Sequence, residues 1–255
     1  MEIFLAILIG LCFGSFVTLA SWRLPMERSL VTPGSHCPKC QHALGARDLL
    51  PVLSWAMNGG KCRHCQARVS IRYPLTELAC AALWLLAYFH SGLTVEGLVL
   101  ALFGTALLTM LVADLETTLI PDEIHLFLIP LGLAYHWLLG TPWAEVVACT
   151  LIAGGIGLVL HYGYYYLRGY HGLGFGDVKF LFVSGLWLAS ADQFAAFIFY
   201  SGVLGVATGL LWKLIHKDSR FPFAPALALA LYLLAMWPQS AQVFWQIIGG
   251  LTRLI

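Results

Sequence analysis

Roughly eight apolar stretches, most of them about twenty residues long and parted by short polar or Gly/Pro breaks, decide what this chain can fold into. They lie near 2–20, 75–91, 95–113, 124–140, 144–166, 177–190, 193–213 and 223–248. A bilayer core takes about 20 mostly apolar residues per helix, and every backbone N–H and C=O inside it must be bonded within the protein. Composition points the same way. With 60% hydrophobic and 11% charged residues among 255, the chain has too little polar surface to cover a soluble globule. The first stretch has no basic segment ahead of it, and Thr18-Leu-Ala20 is a weak cleavage site, so it reads as a retained helix and not a signal peptide. The expected fold is an all-α polytopic membrane protein of about eight transmembrane helices.

The net charge of +1 hides an asymmetry, because eight of the fourteen Lys and Arg residues fall between Arg23 and Arg72. By the positive-inside rule that segment faces the cytosol. Alternating sides from there puts Arg168, Lys179, Lys213, Lys217 and Arg220 on the same face and leaves only Arg253 opposite. The chain is thus expected in the inner membrane with both termini outside. A basic cytosolic loop also suits anionic lipid headgroups. Nothing in the pattern calls for a nucleic acid partner.

The basic segment holds two knuckles, Cys37-Pro-Lys-Cys40 and Cys62-Arg-His-Cys65. The spacing is that of a zinc ribbon: each tight turn offers two thiolates, and Gly59-Gly60 lets the backbone fold around a tetrahedral ion. Four thiolates leave no open position, so the metal's role is structural. Two disulfides or a redox dithiol are the competing readings, and a cytosolic loop disfavours stable disulfides. His36, His42 and His64 read as bystanders, and Cys12, Cys80 and Cys149 as packing residues.

Charged groups are costly inside a membrane, so acids at helix ends carry the functional information. One group is Asp114-Leu-Glu116 through Pro121-Asp122-Glu123, and the other is Gly172-Leu-Gly174-Phe-Gly176-Asp177-Val-Lys179. The topology above puts both on one face. Glycines before Asp177 admit a close backbone approach. Two carboxylates held together do not both ionise readily, so one serves as acid and the other as base toward a shared water, which is aspartic-protease chemistry. Ser15 lacks a nucleophile-elbow context. The plainer reading makes Asp177 a helix-capping acid and Asp114 an end residue reaching for water; Asp122 reads as a cap, Glu116 and Glu123 as solvated, and Glu77 as an N-terminal helix acid. Paired acids beside a Gly-broken helix also suit a proton-coupled transporter, though no internal helix repeat accompanies them.

These motifs, taken in order, resemble the bifunctional type IV prepilin peptidases that also serve type II secretion, membrane aspartic proteases with a G-x-G-D motif. The resemblance runs through Gly14-Ser15-Phe16, Arg23-Leu-Pro25, the knuckles enclosing Leu50 to Trp55, Arg72-Tyr-Pro-Leu-Thr-Glu77, Asp114 to Asp122, Gly174 to Lys179 and Pro222-Phe-Ala-Pro225. It implies that Asp114 and Asp177 are the catalytic pair, supported by Gly174, Gly176 and Lys179. It further implies cleavage of basic prepilin or pseudopilin leaders on the cytosolic side, after a glycine that precedes a hydrophobic segment, then N-methylation of the new terminus with S-adenosylmethionine. The implied domains are helix 1 (1–20), a four-cysteine loop with a possible methyltransferase role (21–73) and a seven-helix protease region (74–255). Thr18 stands where that family commonly has Asn, and Ala224 where it has Gly. Neither is expected to touch the aspartates. A methyltransferase without protease activity remains the second alternative.

Overall fold

The computed structural model describes residues 1–170, 173–216 and 221–251, apart from the side chains of 216 and 249–251. Gly172 of the glycine motif and the basic residues Lys217, Arg220 and Arg253 lie outside the described residues. The regular structure is helical: α1 (Glu2–Arg23), α2 (Leu53–Met57), α3 (Arg72–Ser91), α4 (Val95–Thr117), α5 (Asp122–Leu139), α6 (Trp143–Arg168), α7 (Phe175–Leu188), α8 (Ala191–His216), α9 (Ala224–Met236) and α10 (Ser240–Leu251). Among the described residues the extended structure amounts to two isolated bridges, His36 with Ala43 and Lys61 with Arg68.

Each apolar stretch has its helix, with one correction. The stretch 223–248, read as a single helix, is broken into α9 and α10, which meet at 107°. Pro238 is the cause: it has no N–H for the helix ladder, and it pushes Trp237 out of the helical region to φ −132, ψ 76. Four helices are long and apolar enough to cross a membrane (Glu2–Met26, Val95–Thr117, Trp143–Arg168 and Ala191–Ile215), and five if the bent pair is one span. This is a multi-pass membrane protein. At 14 residues, α7 rises only about 21 Å, short of the ~30 Å hydrocarbon core.

The chain forms two compact units, Met1–Thr109 and Met110–Ile255, whose boundary falls within α4. In the first, α1 and α3 pack antiparallel at very short range because two glycines allow it. A β-carbon on Gly10 would lie 2.7 Å from Ala81 Cα, and one on Gly14 only 2.5 Å from Glu77 Cα. Phe13 stacks on Trp84 at 4.9 Å, and the Trp84 indole donates to Thr105 Oγ1 at 3.0 Å, tying in the first half of α4.

In the second unit α7 is the central strut, apolar around its whole circumference and buried for most of its length. Gly154 of α6 seats the Phe182 ring, and Gly185 of α7 approaches the Cys149 carbonyl, where a β-carbon would sit 2.6 Å away. On the α5 side, the Trp187 indole donates to the Leu128 carbonyl at 3.0 Å, while His136 Nε2 meets the Trp187 carbonyl at 3.2 Å. These contacts fix the C-terminal half of α7 against its neighbours.

Candidate functional site

The first unit brings all four predicted cysteines together. The Sγ atoms of Cys37, Cys40, Cys62 and Cys65 lie within 4.8 Å of one another, with Cys37 and Cys65 3.9 Å apart. Zn–S bonds of ~2.3 Å in a tetrahedron place sulfurs about 3.8 Å apart, so the cluster suits that ion. No other group of potential ligands gathers in this way among the described residues.

The knuckles are copies of one another at an offset of 25 residues. Cys37 N–H donates to the His42 carbonyl and Cys62 N–H to that of Ala67; Gln41 N–H returns to Cys37 and Gln66 N–H to Cys62. Both glutamines turn left-handed, at φ 58 and φ 57. The shared Cys-x-x-Cys-Gln was a sequence signal for this repeat beyond the cysteines themselves. Backbone N–H groups of Cys40 and then Lys39 aim at the Cys37 sulfur and bring its thiol down to about 6, so it is a thiolate at neutral pH. The rings of His42 and His64 meet at a tilt of 33° with centroids 3.5 Å apart, outside the four-sulfur set.

Glu77 departs from its expected role. It lies one turn inside α3, is buried, and accepts the Val52 N–H at 2.6 Å, with Ser15 alongside. That bond holds Val52 at φ 61, a region a β-branched residue avoids. Arg72 donates to Ser21 Oγ at 2.7 Å and to the Thr18 carbonyl at 3.3 Å, and Arg23 to the carbonyls of Ser29 and Pro33. Glu77, Arg72 and Arg23 thus bind the cysteine loop's flanks to the ends of α1 and α3.

The second unit brings the two acid motifs together. Asp114, on the last turn of α4, is buried at 5% exposure; Asp177, in the first turn of α7, is half-buried and lies within the electrostatic field of Asp114. Lys179, half a turn on, grips both carboxylate oxygens of Asp122 at 2.6 and 2.7 Å. Asp122 is therefore not the cap it was expected to be. Pro121 occupies the N-cap of α5, and the Asp122 carboxylate goes to the lysine.

The glycines have specific reasons. A β-carbon on Gly176 would press on the Ile120 side chain at 3.3 Å, so glycine lets the 114–122 segment run past α7. One on Gly174 would lie 3.1 Å from Asp177 Oδ2, which reaches back toward the Gly174 backbone in the manner of a capping acid. The capping reading of Asp177 therefore holds, and its carboxylate also lies within the field of Asp114. Asp114 does not end in solvent.

Two contributions were missed. Asp114 Oδ2 accepts the Ala224 N–H at 2.9 Å, one of the donors that the first turn of α9 leaves free. The expectation that position 224 does not touch the aspartates is corrected: its backbone does. Second, buried His161 of α6 bonds through Nδ1 to the Leu173 carbonyl at 2.7 Å, fixing the approach to Gly174. No local pattern announces either contact.

Comparison with known proteins bears on both units. Residues 8–91 match the family described as bacterial peptidase A24 N-terminal domain, and residues 100–210 the type IV leader peptidase family. Among curated proteins named prepilin leader peptidase/N-methyltransferase, that of Pseudomonas putida is 32% identical over 91% of this chain and 90% of its own. That of Burkholderia pseudomallei strain K96243 is 35% identical over 89% and 83%, and that of Bacillus subtilis 31% identical over 92% and 94%. No solved structure matches.

Proposed function

Because this chain belongs to the prepilin leader peptidase/N-methyltransferase family, we propose that it cleaves prepilin or pseudopilin leaders with Asp114 and Asp177 as the catalytic pair and then methylates the new N-terminus. The observation that carries the catalytic assignment is the convergence of the two acid motifs: Asp177 in the field of Asp114, with Lys179 closed on Asp122 beside them. Membership of this family leaves the transporter reading without support.

In the reaction one carboxylate takes a proton from water as the water attacks the scissile carbonyl. The other, protonated, donates to the carbonyl oxygen; as the tetrahedral diol collapses, the first carboxylate passes the proton it took from water to the leaving amine and the second regains its own from a diol hydroxyl. The Ala224 N–H orients Asp114 by occupying one oxygen, while the Gly174 backbone orients Asp177. With no β-carbon at Gly174, where only the Asp177 carboxylate lies close by, an extended substrate backbone can approach Asp177.

Cys37, Cys40, Cys62 and Cys65 would hold a zinc ion, which would cross-link the loop and leave no position for a reactant. The methyl donor implied by the relatives' name is S-adenosylmethionine. The described residues assign no side chain to it. The charge of the basic 23–72 segment supports a cytosolic position for it, and the alternation of the apolar stretches supports the same side of the inner membrane for the acid pair. The test is cleavage of a purified prepilin in detergent by wild type, Asp114→Asn and Asp177→Asn, with the new N-terminus weighed before and after S-adenosylmethionine is added. Cutting by the wild type alone supports the pair. Equal cutting by all three rejects it.

A further inference from the structure

The corner at Trp237 and Pro238 sends α10 away from α9 at 107°. With 12 residues α10 rises about 18 Å, well short of the ~30 Å hydrocarbon core. Of the helices longer than ten residues it is also the most strongly two-faced. Ala241 and Phe244 are buried against the second unit, at 5% and 8% exposure. On the far side Gln242 and Gln246, one turn apart, are exposed. Exposed Val243 and Ile247 flank the glutamines on one side and exposed Trp245 on the other.

These faces ask for two solvents at once. A helix crossing the bilayer would hold both carboxamides in hydrocarbon, where water does not reach them. A helix standing in water would expose two aliphatic side chains and an indole. A helix lying along the boundary satisfies both sets, and tryptophan is at home there.

The packing puts α10 at that depth. Phe223, just before α9, sits on Gly205 of α8, whereas the Ser240 carbonyl accepts the Tyr200 hydroxyl at 2.7 Å and Phe244 meets the Phe199 ring at 5.2 Å. α9 therefore runs from the acid pair toward the Ala191 end of α8. Tyr200 is nine residues into α8 and its side chain leans toward the helix start, so its hydroxyl lies about 10 Å from the Ala191 end. The 26 residues of α8 rise about 39 Å, some 9 Å more than the hydrocarbon core. With that surplus shared between its ends, α10 meets α8 about 5 Å inside the hydrocarbon edge, a depth typical of interfacial helices.

We propose that α10 lies flat in the lipid headgroup boundary of the leaflet farther from the acid pair. Val243, Ile247 and Trp245 meet the acyl chains, and Gln242 and Gln246 face headgroups and water. Ser240–Leu251 has no charged residue, so the partner is the neutral or zwitterionic part of the lipid surface and no anionic headgroup is needed. The peptidase reading is neither used nor required.

The test introduces one cysteine at a time, Gln242→Cys, Val243→Cys, Gln246→Cys or Ile247→Cys, into the full chain. Intact spheroplasts are treated with a membrane-impermeant maleimide, and the labelling of the native cysteines in the wild type is subtracted. A thiol reacts as its thiolate, which forms in water and not in lipid, so the 242 and 246 positions should label at least about tenfold faster than 243 and 247. Rates that climb steadily from 242 to 247 would mark the end of a straight span and overturn the proposal. So would labelling of 242 and 246 from the cytosolic side alone, in inverted vesicles. Protection of all four positions on both sides would also reject it, because the glutamine face would then be covered by protein, such as a second copy of the chain.

Discussion

The cysteine cluster and the acid pair are built on opposite plans. The four cysteines lie within 29 residues, in two copies of one ten-residue turn, and each copy positions its own sulfurs with its own backbone. The acid site draws Asp114, Asp177 and the Ala224 N–H from three helices spread over 111 residues, and each depends on packing elsewhere in its unit. A local site tolerates change in the rest of the chain but fails whole when a ligand is lost. A dispersed site has graded failures, because its supports are many.

The sharpest way to break this comparison is at the acids themselves. Asp114→Asn and Asp177→Asn should each slow single-turnover prepilin cleavage by at least about a thousandfold, the scale of a lost acid or base. Either variant cutting at the wild-type rate would mean the site is elsewhere. Next in size, Cys37→Ser or Cys62→Ser should release the zinc from the purified protein, measured by metal analysis. Methyl transfer should then fall further than cleavage; equal losses would show that the two regions are not separable.

A smaller effect is expected at the clamp. Lys179→Met should reduce cleavage about threefold to tenfold, as suits a largely solvent-exposed ion pair. Asp122→Lys combined with Lys179→Asp should recover part of the loss, which a merely steric role would not permit.

The least effect is one of pH on the cysteine loop. The Cys37 thiol is held down at about 6, so its thiolate is present above that pH and is lost as pH falls through it. Zinc affinity should therefore decline as pH drops, with an added fall below about 6, read by competition with a chromophoric chelator. A zinc affinity whose fall with pH does not steepen below about 6 would show that Cys37 is not a ligand.

The same contrast explains what was legible in the sequence. Helix positions were, because twenty-residue apolar runs report themselves; so were the knuckles, because ligand spacing is local. The break at Trp237 was visible in principle as Pro238, but hydropathy alone ran straight through it. Asp114 and Asp177 stood out as acids in apolar surroundings. Their supports did not. The Lys179–Asp122 bond, the His161 hold on Leu173 and the burial of Glu77 against Val52 each join residues 12 to 57 positions apart, and such contacts exist only after helices have packed.

One of those supports is written in a part of the molecule that side-chain genetics does not reach. The donor to Asp114 is the main-chain N–H of position 224. Alanine already stands there, and glycine would carry the same N–H, so scanning substitutions report a neutral position. Only proline deletes the group. A residue that looks interchangeable among relatives can still contribute a fixed atom to the chemistry, and what selection then preserves at 224 is the path of the backbone, not the letter.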